Sequence, residues 1–229
     1  MSPARELPPS PRFAEDDGSC PAPLQRALAV DTDGRTAAVV QALAEVRVLV
    51  PLVARAGAPD SGQGLRTATA SLVQVAGPDG RSVLPVFSSV ATMVRWDPSA
   101  RPMPVEGPRA ALAAGAEGDG LLVLDPAGPV SVLVPRPAAA ALAQGRAWVP
   151  SYADPEVAAA VTAALAGLTA GVTCERGRRA ELAVALTVAP GLGRPALADL
   201  VAAVQEALAA AAVVAERVDS LELRVVAAG

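Results

Sequence analysis

The sequence predicts an α+β protein: a mixed or antiparallel sheet with flanking helices in an amino-terminal domain, followed by a smaller α+β domain. Three observations carry this expectation. Short apolar runs, the β-branched Val46–Val53 and the continuous Gly120–Leu124, are bounded by polar, Gly- and Pro-containing loops, as strands are. Between them lie segments whose apolar residues recur at helical spacing. Composition then shifts at Trp148-Val149-Pro150-Ser151, after which a second set of helices and strands begins. The expected organisation is a mobile or loosely docked arm over 1–23, an α+β domain over 24–147 and a smaller one over 148–229.

The arm is rich in proline and carries Glu15-Asp16-Asp17, which has the composition of a solvated tail. Leu24–Leu28 forms a helical turn that docks on the body. A helix follows, capped by Asp33 or Thr36, with Val39, Val40 and Leu43 on one face. Val46–Val53 is a strand, and Pro51 inside it points to an edge or a bulge because proline donates no ladder hydrogen bond. Gly57–Arg66 is a loop. Thr67–Ala76 and Arg81–Phe87 flank Gly77-Pro78-Asp79-Gly80, the turn chemistry of a hairpin.

Ser88 or Ser89 caps the next helix, whose inward face holds Val90, Met93, Val94 and Trp96. Arg101–Val105 is extended, and Pro108–Ala114 is a helix ended by Gly115. Strands at Gly120–Leu124 and Val130–Val134 enclose a turn, and a helix over Pro137–Gln144 closes at Gly145. The second domain is expected as helix Pro155–Leu168, strands Val172–Arg176 and Glu181–Val188, helix Pro195–Glu216 and strand Leu221–Val226. Leu197, Leu200, Val201, Val204 and Leu208 form the apolar stripe of its long helix.

Composition narrows the function. The chain of 229 residues is 52% hydrophobic but only 2% aromatic, so its core is built from Ala, Val and Leu. Apolar burial is worth roughly 25 cal/mol per Å², and each large side chain therefore counts for more than usual. There is no Lys, Asn, Ile or His. Lacking His, the chain has neither the usual general base at neutral pH nor the commonest nitrogen ligand for metals. Ser-His-Asp, Cys-His and Ser-Lys chemistry are thereby excluded within the chain. The net charge of −4 leaves no basic footprint for nucleic acid. Cys20 and Cys174, far apart in sequence, fit free thiols of a reducing cytosol better than a disulfide. No apolar run is long enough to span a membrane and no targeting segment is visible, so a cytoplasmic location is expected.

Gly191-Leu192-Gly193-Arg194-Pro195-Ala196 follows a strand and opens a helix in the manner of a dinucleotide fingerprint. Pro195, however, removes an amide where phosphate would sit, and a plain loop-to-helix junction accounts for the run. Arg176, Arg178 and Arg179 could hold a phosphate, but a solvated hairpin turn accounts for them better. Two roles stay open for Phe87, Ser88, Ser89, Trp96, Asp125 and Pro126. They could form a shallow recognition surface of strand-end hydroxyls and a carboxylate beside an aromatic wall. Alternatively, Phe87 and Trp96 anchor a core, Ser89 caps a helix and Asp125 forms a turn.

Several of these stretches resemble a known family. Pro11-Arg12-Phe13, Asp16-Asp17-Gly18-Ser19 and Leu24…Leu28 are similar to the opening of actinobacterial SseB family proteins. Leu84-Pro85-Val86-Phe87-Ser88-Ser89, Val94-Arg95-Trp96-Asp97-Pro98 and Gly120-Leu121-Leu122-Val123-Leu124-Asp125 resemble the core of the SseB amino-terminal domain. Asp154–Val226 is similar to the carboxy-terminal region. Where many members carry Asn-Pro in the turn, this chain has Asp125-Pro126. The resemblance implies no catalytic residues. The family's name derives from a serine-sensitivity phenotype, which gives serine and its relatives a place in a ligand screen.

The expectation is therefore a cytoplasmic, non-enzymatic binding or regulatory protein without cofactor or metal. Its partner is a protein or a small molecule, not nucleic acid or membrane. Two alternatives accompany it: an enzyme or sensor acting on an amino-acid-related or nucleotide small molecule through carboxylate and Arg groups, and a homo-oligomeric assembly module.

Overall fold

The computed structural model describes residue 13 and residues 15–54, 70–77 and 79–227. The loop expected at Gly57–Arg66 lies outside the described residues, as do most of the amino-terminal arm and the start of the strand expected from Thr67. The architecture is α+β, with mixed and antiparallel sheets and flanking helices. The chain divides into two compact units, Met1–Val134 with Ala139–Arg146, and Pro135–Ala138 with Ala147–Gly229.

The first unit opens with helices α1 (Ala22–Ala29) and α2 (Thr32–Leu43). The cap of α2 is Asp31, whose side chain accepts from the Gly34 amide at 3.1 Å, so the helix starts ahead of the expected Asp33 or Thr36. Strand β1 (Arg47–Ala54) lies between β2 (Ala70–Leu72) and β5 (Arg101–Glu106), antiparallel to both. Pro51 thus sits in a middle strand rather than on an edge. Leu49 exchanges both backbone hydrogen bonds with Phe87, at 2.9 Å each. Side-to-side alternation turns Pro51 the same way as Leu49, so its missing donor faces away from β5, and pairing to β2 begins only at Leu52.

The expected hairpin strand Thr67–Ala76 is divided between two sheets. Its β2 part joins β1, while β3 (Val75–Ala76) pairs with β4 (Ser82–Val86). A four-stranded sheet then runs β3-β4-β6-β7, with β6 at Leu121–Leu124 and β7 at Val132–Val134. The β4–β6 pair is parallel, and helix α3 (Val90–Trp96), β5 and helix α4 (Gly107–Glu117) form its crossover. Gly115 is tolerated inside α4 instead of ending it. In α3, Met93 is fully buried while Val94 is 43% exposed, a reversal of its expected inward role. With only seven residues, α3 turns Met93 toward the core with Val90 and Trp96 on either side, and Val94 falls outside that arc. Helix α5 (Arg136–Ala143) follows β7, and Gly145 takes φ 65 just beyond it.

The second unit packs α6 (Pro155–Ala164) and α7 (Arg194–Ala210) on a sheet ordered β10-β9-β8. Strand β8 (Gly171–Arg176) is antiparallel to β9 (Leu182–Val188), and β10 (Leu221–Ala227) is parallel to β9. The expected long helix breaks at Ala211, which has φ −79 and ψ 105, and resumes as α8 (Ala212–Arg217). The break lets Val214 and Val218 join Val204, Leu208, Val157, Val161 and Leu186 in one core. No helix among the described residues is long and apolar enough to cross a membrane.

Candidate functional site

Two neighbouring strand ends build the most polar part of the first unit's interior. After β4 the chain passes through Phe87 into Ser88, and Ser89 caps α3 in a capping box with Thr92. After β6 the Asp125 amide donates to the Val86 carbonyl at 2.9 Å, which carries the parallel ladder one residue further. Asp125 then adopts φ 52, a left-handed conformation that Asp tolerates better than most residues. The two chains bring Asp125 and Ser88 face to face.

Asp125 is 2% exposed, and its carboxylate accepts three hydrogen bonds. The Ser88 amide and the Thr92 hydroxyl donate to Oδ1, at 2.8 and 2.7 Å. The Ser88 hydroxyl donates to Oδ2 at 2.6 Å. The role is that of an acceptor, so it needs no side-chain amide. On the other side of Ser88 lies Arg47, at the start of β1 and only 8% exposed. Its Nη1 donates to the Ser88 carbonyl at 2.6 Å.

The rest of the Arg47 guanidinium holds the amino-terminal segment. Nε and Nη2 donate to the two carboxylate oxygens of Asp16, and Nη2 also donates to the Ser19 carbonyl at 2.5 Å. Gly18 is fastened beside it, its carbonyl accepting from the Val90 amide at 2.9 Å. Arg47 holds the Asp16 carboxyl below the usual carboxylate range, against the opposing effect of partial burial. Burial pushes the Cys20 thiol up, with the neighbouring Ser88 hydroxyl pulling the other way. An open hollow of about 440 Å³ lies over this segment, walled by Phe13, Glu15, Asp16 and Asp17, with Arg47 contributing to its lining.

The six candidate residues therefore come together, but largely beneath the surface. Phe87 is fully buried and its ring lies 5.3 Å from that of the half-buried Trp96, tilted by 42°. Ser88 and Asp125 engage each other, Ser89 is 9% exposed, and the half-buried Pro126 follows Asp125 into the turn. Sequence reasoning missed Arg47, Asp16 and Thr92 as members of the cluster. The charge interrupting the apolar run of β1 was a usable signal for Arg47. Nothing in the spacing connects it to Asp16, 31 positions earlier and expected in a solvated tail.

The other motifs fall elsewhere. The Gly191–Ala196 run opens α7 inside a parallel β9-to-β10 crossover, but its residues are exposed and Pro195 stands in the first turn. The amides of Arg178 and Arg179 donate to Glu222 at 2.9 and 3.1 Å, so a carboxylate of the fold already occupies what an anion would use. These bonds, with Arg224, hold the Glu222 carboxyl down at about 2. No group of three or more metal-ligating side chains is assembled among the described residues.

A family model described as the SseB protein N-terminal domain matches residues 23–141, more than half of the 229-residue chain. No curated protein and no solved structure matches.

Proposed function

The chain belongs to the SseB family, and from that premise we propose that it is a non-enzymatic, cytoplasmic protein that acts by binding a protein or small-molecule partner. One observation carries the reading. Ser88 and Asp125 are the cluster's nearest approach to a nucleophile and its base, at 2.6 Å, yet each is only 2% exposed. Among the described residues the donors to Asp125 are the Ser88 amide and hydroxyl and the Thr92 hydroxyl, which supports reading the pair as a join between two strand ends. Their burial turns the Ser88 hydroxyl toward the fold rather than toward solvent, and the chain has no imidazole or amine side chain to replace Asp125 as the base.

Binding without turnover is tested by native pull-down with the full chain, together with thermal melting against a panel that includes serine and related amino acids. A ligand of the folded state raises the melting temperature in step with RT ln(1 + [L]/Kd). The expected result is a stoichiometric partner or a saturable shift, with no product formed. Turnover that survives purification and follows the folded protein would overturn the reading in favour of an enzyme.

A further inference from the structure

The contact between Arg47 and the amino-terminal segment straddles the boundary of the family domain. Arg47, Ser88 and Val90 lie within the matched residues 23–141, whereas Asp16, Gly18 and Ser19 precede them. We propose that this face of the first unit is a seat for an acidic Asp-x-Gly segment of a partner protein, and that residues 15–20 occupy it in cis as a competing strap. The proposal rests on the binding function above and names the class of partner and its regulation.

Arg47 is held in place by the domain itself. Its Nη1 bond to the Ser88 carbonyl, and Ser88's own bonds to Asp125, do not involve the strap. When Asp16 leaves, Nε and Nη2 stay directed at the vacated position with their charge uncompensated. A planar guanidinium fixed in this way selects another carboxylate, which it takes through two parallel hydrogen bonds. The Val90 amide supplies a main-chain anchor two residues further along the bound segment.

The seat also dictates the residue after the acid's neighbour. Gly18 has φ 76, and a Cβ built on it would lie 2.6 Å from Val90 Cγ2, so a side chain there meets both backbone strain and a collision. The segment is preshaped for this bend. Asp16 Oδ1 accepts from the Gly18 amide and Asp17 Oδ1 from the Ser19 amide, each at 2.8 Å. An Asp-x-Gly sequence thus satisfies charge, turn and space together.

Because the strap is joined to α1 through Cys20 and Pro21, it competes at an effective concentration on the order of millimolar. A partner gains the seat only by outbidding that tether or when the Asp16 contact is weakened.

The test uses the full chain and its Asp16→Ala variant, probed with a labelled synthetic peptide of residues 13–19. A second peptide carries Gly18→Val. Iodoacetamide labelling of Cys20, located by peptide mapping, reports release of the strap. The seat predicts that Asp16→Ala binds the peptide at least about tenfold more tightly than the parent. It also predicts Cys20 alkylation at least about tenfold faster in the variant, slowed again by saturating peptide. The valine peptide should not bind, and Arg47→Lys should weaken binding in the same background because it loses the two-pronged contact.

Equal Cys20 labelling in parent and variant would overturn the strap. Peptide binding to neither protein, or to both alike, would overturn the competition, and so would self-association of Asp16→Ala without peptide binding. Partner capture by pull-down is a separate readout, so a chain that captures a partner but fails these measurements keeps its binding function and loses this seat.

Discussion

Ser88 donates both its amide and its hydroxyl to the Asp125 carboxylate, at 2.8 and 2.6 Å, across 37 positions of the chain. The pair ties the end of β4 to the end of β6 where the parallel ladder stops, and Thr92 extends it into α3. Its members are among the few polar residues buried in the first unit, so their mutual satisfaction is a condition of folding rather than an addition to it.

Asp125→Ala leaves the buried Ser88 amide and hydroxyl without an acceptor, while the half-buried Thr92 hydroxyl keeps the Ser89 carbonyl at 2.9 Å, and it places Ala at φ 52. The expected loss is about 2–4 kcal/mol in urea unfolding. Asp125→Asn should cost distinctly less, because its carbonyl can take the Ser88 amide and Thr92, while the Ser88 hydroxyl rotates to accept from the new amide. Equal losses for the two variants would contradict the acceptor role.

Phe87 and Trp96 touch, but they are not equally buried. Phe87→Ala removes a fully buried ring from the cluster with Leu49 and Met93 and should cost about 3–5 kcal/mol. Trp96→Ala, on the half-buried side of the pair, should cost about 2 kcal/mol. Chemical denaturation of both variants checks the order.

Asp16 should make stability depend on pH in the acid range. Its folded pKa is lowered by Arg47, so the unfolded chain binds the proton more readily. The contribution is fully present above the ordinary carboxylate range and disappears as pH falls through the lowered folded value. The stability gap between the parent and Asp16→Asn should accordingly be widest near neutrality and close on acidification. A gap independent of pH would disconnect Asp16 from Arg47.

Glu222 should titrate at about 2 in a carboxyl-detected NMR experiment, against an ordinary 4.5. The depressed value means that its support of the hairpin is complete above the ordinary value and is lost as pH falls toward about 2. In Glu222→Gln the amides of Arg178 and Arg179 should exchange with solvent about tenfold faster, as their charged acceptor is replaced by a neutral one. Unchanged exchange at both positions would mean that the hairpin holds itself.

The fold class was legible because its signals are local. Apolar runs bounded by Gly and Pro became β1, β4 and β6, and Ser89 capped α3 as its position suggested. The misjudged elements were those whose fate depends on distant chain. Pro51 reads as an edge residue until Leu49 is seen to bond Phe87, which turns the missing donor of Pro51 away from β5. The segment ending at Ala76 reads as one strand until β2 and β3 part to different sheets.

By itself the sequence determined an α+β chain, a Val, Leu and Ala core and the absence of imidazole and amine side chains, since periodicity and composition are properties of neighbouring residues. It also marked Phe87, Ser88 and Asp125 as a noteworthy set. Only the tertiary structure decided that Asp125 accepts from Ser88 rather than facing solvent, and that Arg47 takes its carboxylate from Asp16. Hydrogen bonds across 31 and 37 positions leave no periodic trace in a chain. They exist only where the folded chain brings the donor and acceptor atoms of distant side chains within 3 Å of one another.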